Sequence, residues 1–245
     1  FNWPKYLFRD RARDKWQFDY RQLFQDIPHV VRAMDNVIDK AYYPLHEQQQ
    51  EAQLKRPMGL GVTGVANAVE AMRESYGSPG FITILDSILA STANAVYRAS
   101  SALAREKGSF PLYERDKYLN AYFPNTLSEE TWEQIYNQGI RNSHLLSIAP
   151  TGTISFTADN VSSSIEPVFA YKTLRTIISF DGPQVVTVDD YGSKFLDSRG
   201  KIAAECSAED HLAVFKTASK HVDSAVSKTC NVANNISWES FKNLY

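Results

Sequence analysis

The chain has 245 residues, 43% of them hydrophobic, and its 26 basic and 28 acidic side chains leave a formal net charge of -2. That is enough to bury one substantial core, and the interspersed signs exclude a chain-wide field for nucleic acid or an anionic membrane. No apolar run approaches the roughly 20 residues of a bilayer span, and no secretory leader opens the chain, so a cytoplasmic setting is expected.

After a basic, aromatic leader, Asp26 is placed to cap a helix with Pro28 in its first turn, where a missing N–H is harmless. Ile27, Val30, Val31, Met34, Val37 and Ile38 then recur at helical spacing until Tyr43 and Pro44. Leu45 to Lys55 is polar and rich in Gln, a solvated helix or connector. Phe81 to Lys107 predicts a long helix whose stripe is Leu85, Ile88, Leu89, Thr92, Val96, Ala99 and Leu103, stopped by Gly108. Thr126-Leu127-Ser128-Glu129 fits a capping box for a third helix ending at Gly139. Ser207, with Asp210 three residues on, opens a fourth, with Leu212, Phe215, Ala218, Val222 and Val226 as its stripe. Apolar runs at Leu145 to Ala149, Arg175 to Phe180, Val185 to Val188 and Thr229 to Val232 have strand character. This alternation predicts an α/β fold with parallel strands, either a barrel or a doubly wound sheet, in one domain without internal repeats.

Two motifs could carry chemistry. Gly59-Leu60-Gly61-Val62-Thr63-Gly64 matches the dinucleotide-binding spacing, but it follows charged residues and Pro57 rather than a buried strand. The plainer reading is a Gly-rich barrel strand that another backbone approaches closely. The second motif runs from Asn142 to Ser155, a strand entering the turn Pro150-Thr151-Gly152-Thr153-Ile154-Ser155. Pro150 ends the ladder, Gly152 admits an anion to the backbone, and Thr151, Thr153 and Ser155 offer hydroxyls. Spacing alone leaves a phosphate turn and a merely polar turn both open.

Other candidates read as structural. Asp35 with Asp39, and Asp189 with Asp190, are taken as solvated faces, and the scattered histidines as satisfied ones, with His144 kept as a weak site candidate beside the turn. Cys206 and Cys230 have no metal or disulfide spacing; Cys230 reads as a small buried hydrophobe and Cys206 as an incidental loop thiol. The chain starts on Phe1 without Met and stops at Tyr245 just after a helix-like start at Ser237, which reads as a fragment.

Asn142 to Ser155, followed by Ala158-Asp159-Asn160-Val161-Ser162-Ser163-Ser164-Ile165-Glu166-Pro167, resembles the large chain of ribonucleotide reductases. Further blocks resemble that family in family order: Asp35 to Asp39 with Tyr42-Tyr43-Pro44, Arg56 to Gly64, Glu106 to Pro111, and Asp223 to Thr229 with Asn231-Val232. The resemblance implies a ten-stranded α/β barrel of two five-stranded parallel halves around a finger loop. Residues 1–245 would be a single partial domain, most of the second half, truncated at both ends. It implies that Pro150, Thr151, Gly152, Thr153, Ile154 and Ser155 bind substrate phosphate. No catalytic residue and no metal ligand is implied within this chain. The thiyl-radical cysteine in its Asn-x-Cys-x-Glu and the reducible cysteine pair would lie upstream of Phe1, and the tyrosine pair of class I enzymes beyond Tyr245.

The texture of Ala149 to Ser155, Ser162 to Pro167 and Val226 to Thr229 looks most like adenosylcobalamin-dependent class II chains, with the cofactor not held by these residues alone. Alternatives are a class I chain needing a radical-generating partner subunit, or a non-catalytic half-barrel that complements a separate first half. The implied partners are a ribonucleotide substrate, the missing N-terminal half of the barrel, and a thioredoxin- or glutaredoxin-type reductant. Neither nucleic acid nor membrane is among them.

Overall fold

The computed structural model describes residues 1–180, 182–232 and 236–242. The leader forms a hairpin, β1 (Leu7–Asp10) with β2 (Lys15–Phe18), and leads into α1 (Tyr20–Lys40) and α2 (His46–Lys55). Then come α3 (Val65–Ala71), α4 (Pro79–Lys107), α5 (Arg115–Leu119), α6 (Glu129–Gln138) and α7 (Gly152–Thr157). A second hairpin, β3 (Lys172–Ser179) with β4 (Gly182–Asp189), precedes α8 (Tyr191–Phe195), α9 (Ala208–Ser219) and α10 (Trp238–Lys242), which follows Ser237.

Helix boundaries differ from the sequence expectation where burial overrides local signals. α1 starts at Tyr20, capped by Asp19, whose carboxylate accepts the Gln22 amide at 3.0 Å, so Asp26 is not the cap and Pro28 lies inside the helix. Leu23 and Ile27 are fully buried, and carrying the apolar stripe back to Leu23 outweighs an internal proline costing about 3 kcal/mol. Val37, expected in that stripe, is exposed. α6 is capped by Ser128, which accepts the Thr131 amide at 3.3 Å; Thr126 instead closes a 3-10 turn onto the Phe123 carbonyl. α9 has the expected Ser207/Asp210 capping box, but its buried face is His211, Val214, Thr217 and Ala218, and Phe215 is exposed. Val222 and Val226 lie beyond its end. Asp210 also binds Lys201, which fixes the rotation of the helix and turns His211 inward.

α4 packs against α1, α6 and α9. At 29 residues it is long and apolar enough to cross a membrane by length and composition, contrary to the sequence expectation, yet its neighbours on three sides make it a core helix.

Beneath it, four extended segments around residues 1–3, 58–63, 145–148 and 225–227 lie side by side and parallel, in chain order. Trp3 N–H donates to Thr63 O (3.0 Å), Leu60 N–H to Leu145 O (2.8 Å), Ser147 N–H to Leu60 O (3.1 Å) and Ile148 N–H to Ala225 O (3.1 Å). Parallel order is therefore present, but as single bridges rather than full strands. Leu145–Ala149 is an extended central segment. Thr229–Val232, expected as a strand, is not one, because Glu166 takes the Thr229 amide at 2.7 Å and draws the chain off the layer.

β3 and β4 are antiparallel, pairing Lys172 with Asp189 through Ser179 with Gly182, and they pair only with each other among the described residues. The short connection between the two runs cannot make the crossover of a dozen or more residues that parallel strands need. Leu174, Ile178, Phe180 and Val185 share the outer face of this ribbon and are all well exposed.

The glycines of the central pair permit close approach. A Cβ on Gly61 would stand 2.9 Å from the Ser147 carbonyl oxygen, and one on Gly59 would stand 2.5 Å from the Ser147 hydroxyl. Backbone cannot yield as a hydroxyl can. Gly61→Ala should therefore destabilise the protein by roughly 1–3 kcal/mol, and Gly59→Ala by less, in denaturant unfolding; equal losses would contradict this account.

At the amino-terminal end of the layer, Asp35 is completely buried, not solvated. Its carboxylate takes Arg56 Nε (2.9 Å), Arg141 Nε (3.3 Å), Lys107 Nζ (3.4 Å) and Asn142 Nδ2 (3.1 Å). Arg56 also reaches Asp39 at 2.8 Å. Burial pushes the Asp35 carboxyl up, but the guanidinium groups of Arg56 and Arg141 outweigh it and hold the group below the ordinary range. This one side chain ties α1 to the starts of two extended segments.

Candidate functional site

The turn Pro150 to Ser155 leaves the carboxyl end of the central extended segment, where open parallel α/β layers place their ligands. Thr151 caps α7 in the left-handed conformation (φ 49°), so α7 begins at Gly152. The first helical amides, those of Gly152, Thr153 and Ile154, have no intrahelical acceptor. Gly152, Thr153 and Ile154 are exposed, and a Cβ on Gly152 would meet nothing within 4 Å among the described residues, which leave the space over the turn open. Such an end receives anions through N–H groups and the helix dipole.

The hydroxyls differ in role. Ser155 is buried and donates to the Gly152 carbonyl (2.8 Å), which stabilises the turn rather than offering a free donor. Thr151 lies 3.4 Å from the Thr63 hydroxyl, which itself donates to Ser162 O (3.1 Å). Thr153 points outward.

The loop after α7 closes the amino end of α3. Gly64 N–H donates to Ser162 O (2.7 Å), Val65 N–H to Ser164 O (3.4 Å) and Asn67 N–H to Ser162 Oγ (3.4 Å). The amides that a dinucleotide pyrophosphate would use are thus already taken. Gly59 to Val62 lies in the parallel layer, which excludes the dinucleotide reading and agrees with the Gly-rich extended one.

A cleft of about 350 Å³ adjoins the turn. Pro150, Ser155 and Phe156 line one side, and Ser163, Glu166 and Arg175 others; Thr151 to Ile154 lie outside it. Glu166 is the anchor of its floor, accepting Lys228 Nζ (2.6 Å) and the Thr229 amide (2.7 Å), with the Lys228 side chain only 3% exposed. Asp190, read from sequence as solvated, is buried; it takes Asn67 Nδ2 (2.8 Å) and the Ser193 amide (3.0 Å), and burial raises its carboxyl. Asn67 Oδ1 accepts the Ser162 amide (2.6 Å), joining α3 to this loop. Glu166, Lys228, Asn67 and Arg175 carry no local motif in sequence, because long-range pairing alone brings them together.

The remaining candidates stand elsewhere. His144 lies at the amino-terminal end of the central segment, opposite the turn, against the Ser143 hydroxyl (3.1 Å). His221 meets Asp86 at 2.8 Å. His211, expected to be satisfied, is buried with neither ring nitrogen bonded among the described residues, and burial pushes it down to about 4, so it stays neutral. Cys230 is exposed rather than buried, and Cys206 is half-buried with its thiol pushed up to about 11 by burial. Among the described residues no group of three or more His, Cys, Asp or Glu could hold a metal.

Glu70 supplies a pH-dependent element in a separate groove lined also by Arg73, Tyr171 and Lys201. It accepts the Lys201 amide (2.8 Å) and the Tyr76 amide (3.3 Å), yet burial pushes its carboxyl up to about 7. The folded state then keeps this proton longer than the unfolded chain, so stability falls as pH rises from the ordinary value of 4.5 through about 7. Glu70→Gln should flatten that fall and add on the order of 1–3 kcal/mol above neutrality. Thermal melts across this range that keep the wild-type slope would rule it out.

Together these features define an α/β protein with an open helix start at the carboxyl end of a parallel layer. The family description "ribonucleotide reductase, barrel domain" matches residues 2–245, and the chain belongs to that family. It is similar to the ribonucleoside-diphosphate reductase subunit alpha of Chlamydia pneumoniae, 30% identical over 66% of this chain and 18% of that protein. It is also similar to the vitamin B12-dependent ribonucleoside-diphosphate reductases of Mycobacterium tuberculosis (26% identical, 93% of this chain, 34% of that protein) and Thermoplasma acidophilum (27%, 95%, 32%). The chain thus spans about a third or less of the length of these relatives.

Proposed function

We propose that this chain is the part of a ribonucleotide reductase large chain that holds the substrate's phosphate in the turn Pro150, Thr151, Gly152, Thr153, Ile154 and Ser155, with the amides of Gly152, Thr153 and Ile154 and the hydroxyls of Thr151 and Thr153 as donors and with Pro150 and Ser155 shaping the turn. The observation that carries this is the row of open amides at Gly152 to Ile154, at the carboxyl end of the central segment. The complete enzyme would convert ribonucleotides to deoxyribonucleotides by thiyl-radical chemistry, with its radical and reducing cysteines outside residues 1–245. Burial raises both thiols in the chain above their ordinary value, so neither Cys206 nor Cys230 is a ready thiolate at neutral pH. The four parallel segments in chain order support reading residues 1–245 as one partial domain, the second half of a ten-stranded barrel.

Relatives named as vitamin B12-dependent support a class II reading, in which adenosylcobalamin would supply the radical. The cleft beside the turn, about 350 Å³, is at the small end of ligand pockets of roughly 300–1,000 Å³. It does not fit a corrin ring, so these residues alone would not hold that cofactor. The alternative is a class I chain with a radical-generating partner, favoured by the similarity to the Chlamydia pneumoniae subunit alpha. A thioredoxin- or glutaredoxin-type reductant and a cytoplasmic setting belong to either reading.

Gly152→Val in the intact reductase tests the phosphate turn. A branched side chain would fill the open space over the amides, and the ribonucleotide dissociation constant should rise by about tenfold or more, with the melting temperature little changed. Wild-type affinity would count against the role.

A further inference from the structure

We propose that Arg175 is a further specificity-determining residue of the phosphate site, its guanidinium engaging the distal phosphate of the substrate. This rests on the phosphate reading of the Pro150 to Ser155 turn and extends it to a residue on a different element.

Arg175 is on β3, far from the turn in sequence, yet it lines the same cleft as Pro150 and Ser155. Its guanidinium carbon stands 4.5 Å from the centroid of the Phe156 ring, and Phe156 belongs to α7, the helix whose first amides form the anion site. Gly152 and Phe156 are four residues apart, or roughly 6 Å along the helix axis, so the ring that meets the cation stands on the same helix, about one turn on from the open amides.

Arg9, Arg32, Arg56 and Arg98 each face a carboxylate, whereas Arg175, like Arg73 and Arg199, has no ion pair among the described residues; of these three only Arg175 lines this cleft. The ring contact is made without using the guanidinium N–H groups as hydrogen-bond donors to protein, and a guanidinium fork suits bidentate phosphate binding.

The surroundings keep this cation available. Of the carboxylates lining the cleft, Glu166 is engaged by Lys228 and the Thr229 amide, and Asp190 by Asn67 and Ser193. In the adjoining cleft, which Arg175 also lines, Asp159 faces Lys5 (3.7 Å) and Asp189 faces Lys172 (3.6 Å). Thr173, two residues before Arg175, lines the first cleft with its buried hydroxyl unpartnered among the described residues.

The test is a titration of the intact reductase with one ribonucleoside as its mono-, di- and triphosphate, using wild type, Arg175→Ala, Arg175→Lys and Gly152→Val. Arg175→Ala should weaken the di- and triphosphate by about tenfold or more and leave the monophosphate nearly unchanged. Arg175→Lys should recover part of the loss, since a point charge replaces a planar fork. Gly152→Val should weaken all three nucleotides. Equal losses for all three with Arg175→Ala, or none, would overturn the proposal. If Gly152→Val has no effect while Arg175→Ala remains selective, the turn reading fails and the Arg175 assignment survives.

Discussion

Asp35→Ala should destabilise the protein by about 3–5 kcal/mol, the range for breaking a buried ion pair by removing one partner. The wild-type carboxylate is fully buried and faces Arg56, Arg141 and Lys107, with the Arg56 side chain itself only 5% exposed. Deletion leaves these cations close together without their common anion, and removes an acceptor from Asn142 Nδ2. Asp39 still pairs with Arg56, so part of the compensation remains. Urea unfolding at neutral pH checks the magnitude; a loss under about 1 kcal/mol, typical of a surface pair, would show that the cluster contributes little. The pH response has a definite sign. The folded Asp35 value lies below the unfolded one, so its contribution is complete above the unfolded value and is lost as pH falls through the folded one. Asp35→Asn should therefore blunt the acid end of the stability profile.

Glu166→Ala should be nearly as costly, about 3 kcal/mol or more, because it strands a buried ammonium and a backbone amide together. Lys228 loses its only carboxylate within 4 Å among the described residues, and the Thr229 N–H loses its acceptor. Burial already holds Lys228 below the ordinary lysine value, even with Glu166 opposing it. In the variant its folded value falls further, so the deficit should shrink as pH rises from that value through the ordinary lysine value of 10.5, above which the lysine is neutral in both states. Lys228→Met should cost less, since the partly exposed Glu166 keeps the Thr229 amide. Equal losses for the two substitutions, independent of pH, would refute this asymmetry.

Much of the helical frame was legible because its signals are local. Gly108 and the Ser207/Asp210 box stand where expected, and the stripe from Leu85 to Leu103 faces the core apart from Ala99, which is only partly buried. Misreadings arose where a distant partner decides. Nothing within α1 announces that Asp35 is buried; the reason is Arg56, Arg141 and Lys107, brought in by other elements. Thr229 to Val232 has strand-forming residues, but Glu166 claims its first amide. The antiparallel turn of β3 and β4 was available in principle, since connection length alone forbids a parallel crossover. The Pro150 to Ser155 turn was located from its own residues. Its neighbours Arg175, Glu166 and Lys228 were not, because each is a single charged residue whose meaning depends on what folds beside it.

The isolation of the β3–β4 ribbon has a thermodynamic consequence. A two-stranded hairpin with no third strand is marginal on its own, so its backbone amides should open and exchange with solvent at lower free energy than those of α4. Arg175 is carried on that ribbon. A nucleotide engaging it would draw on binding energy to order the hairpin, and by linkage a tighter hairpin would bind the longer phosphate chain better. Deuterium uptake along residues 173–178 would then read out how many phosphates the bound nucleotide carries, on an element distant in sequence from the proposed phosphate turn.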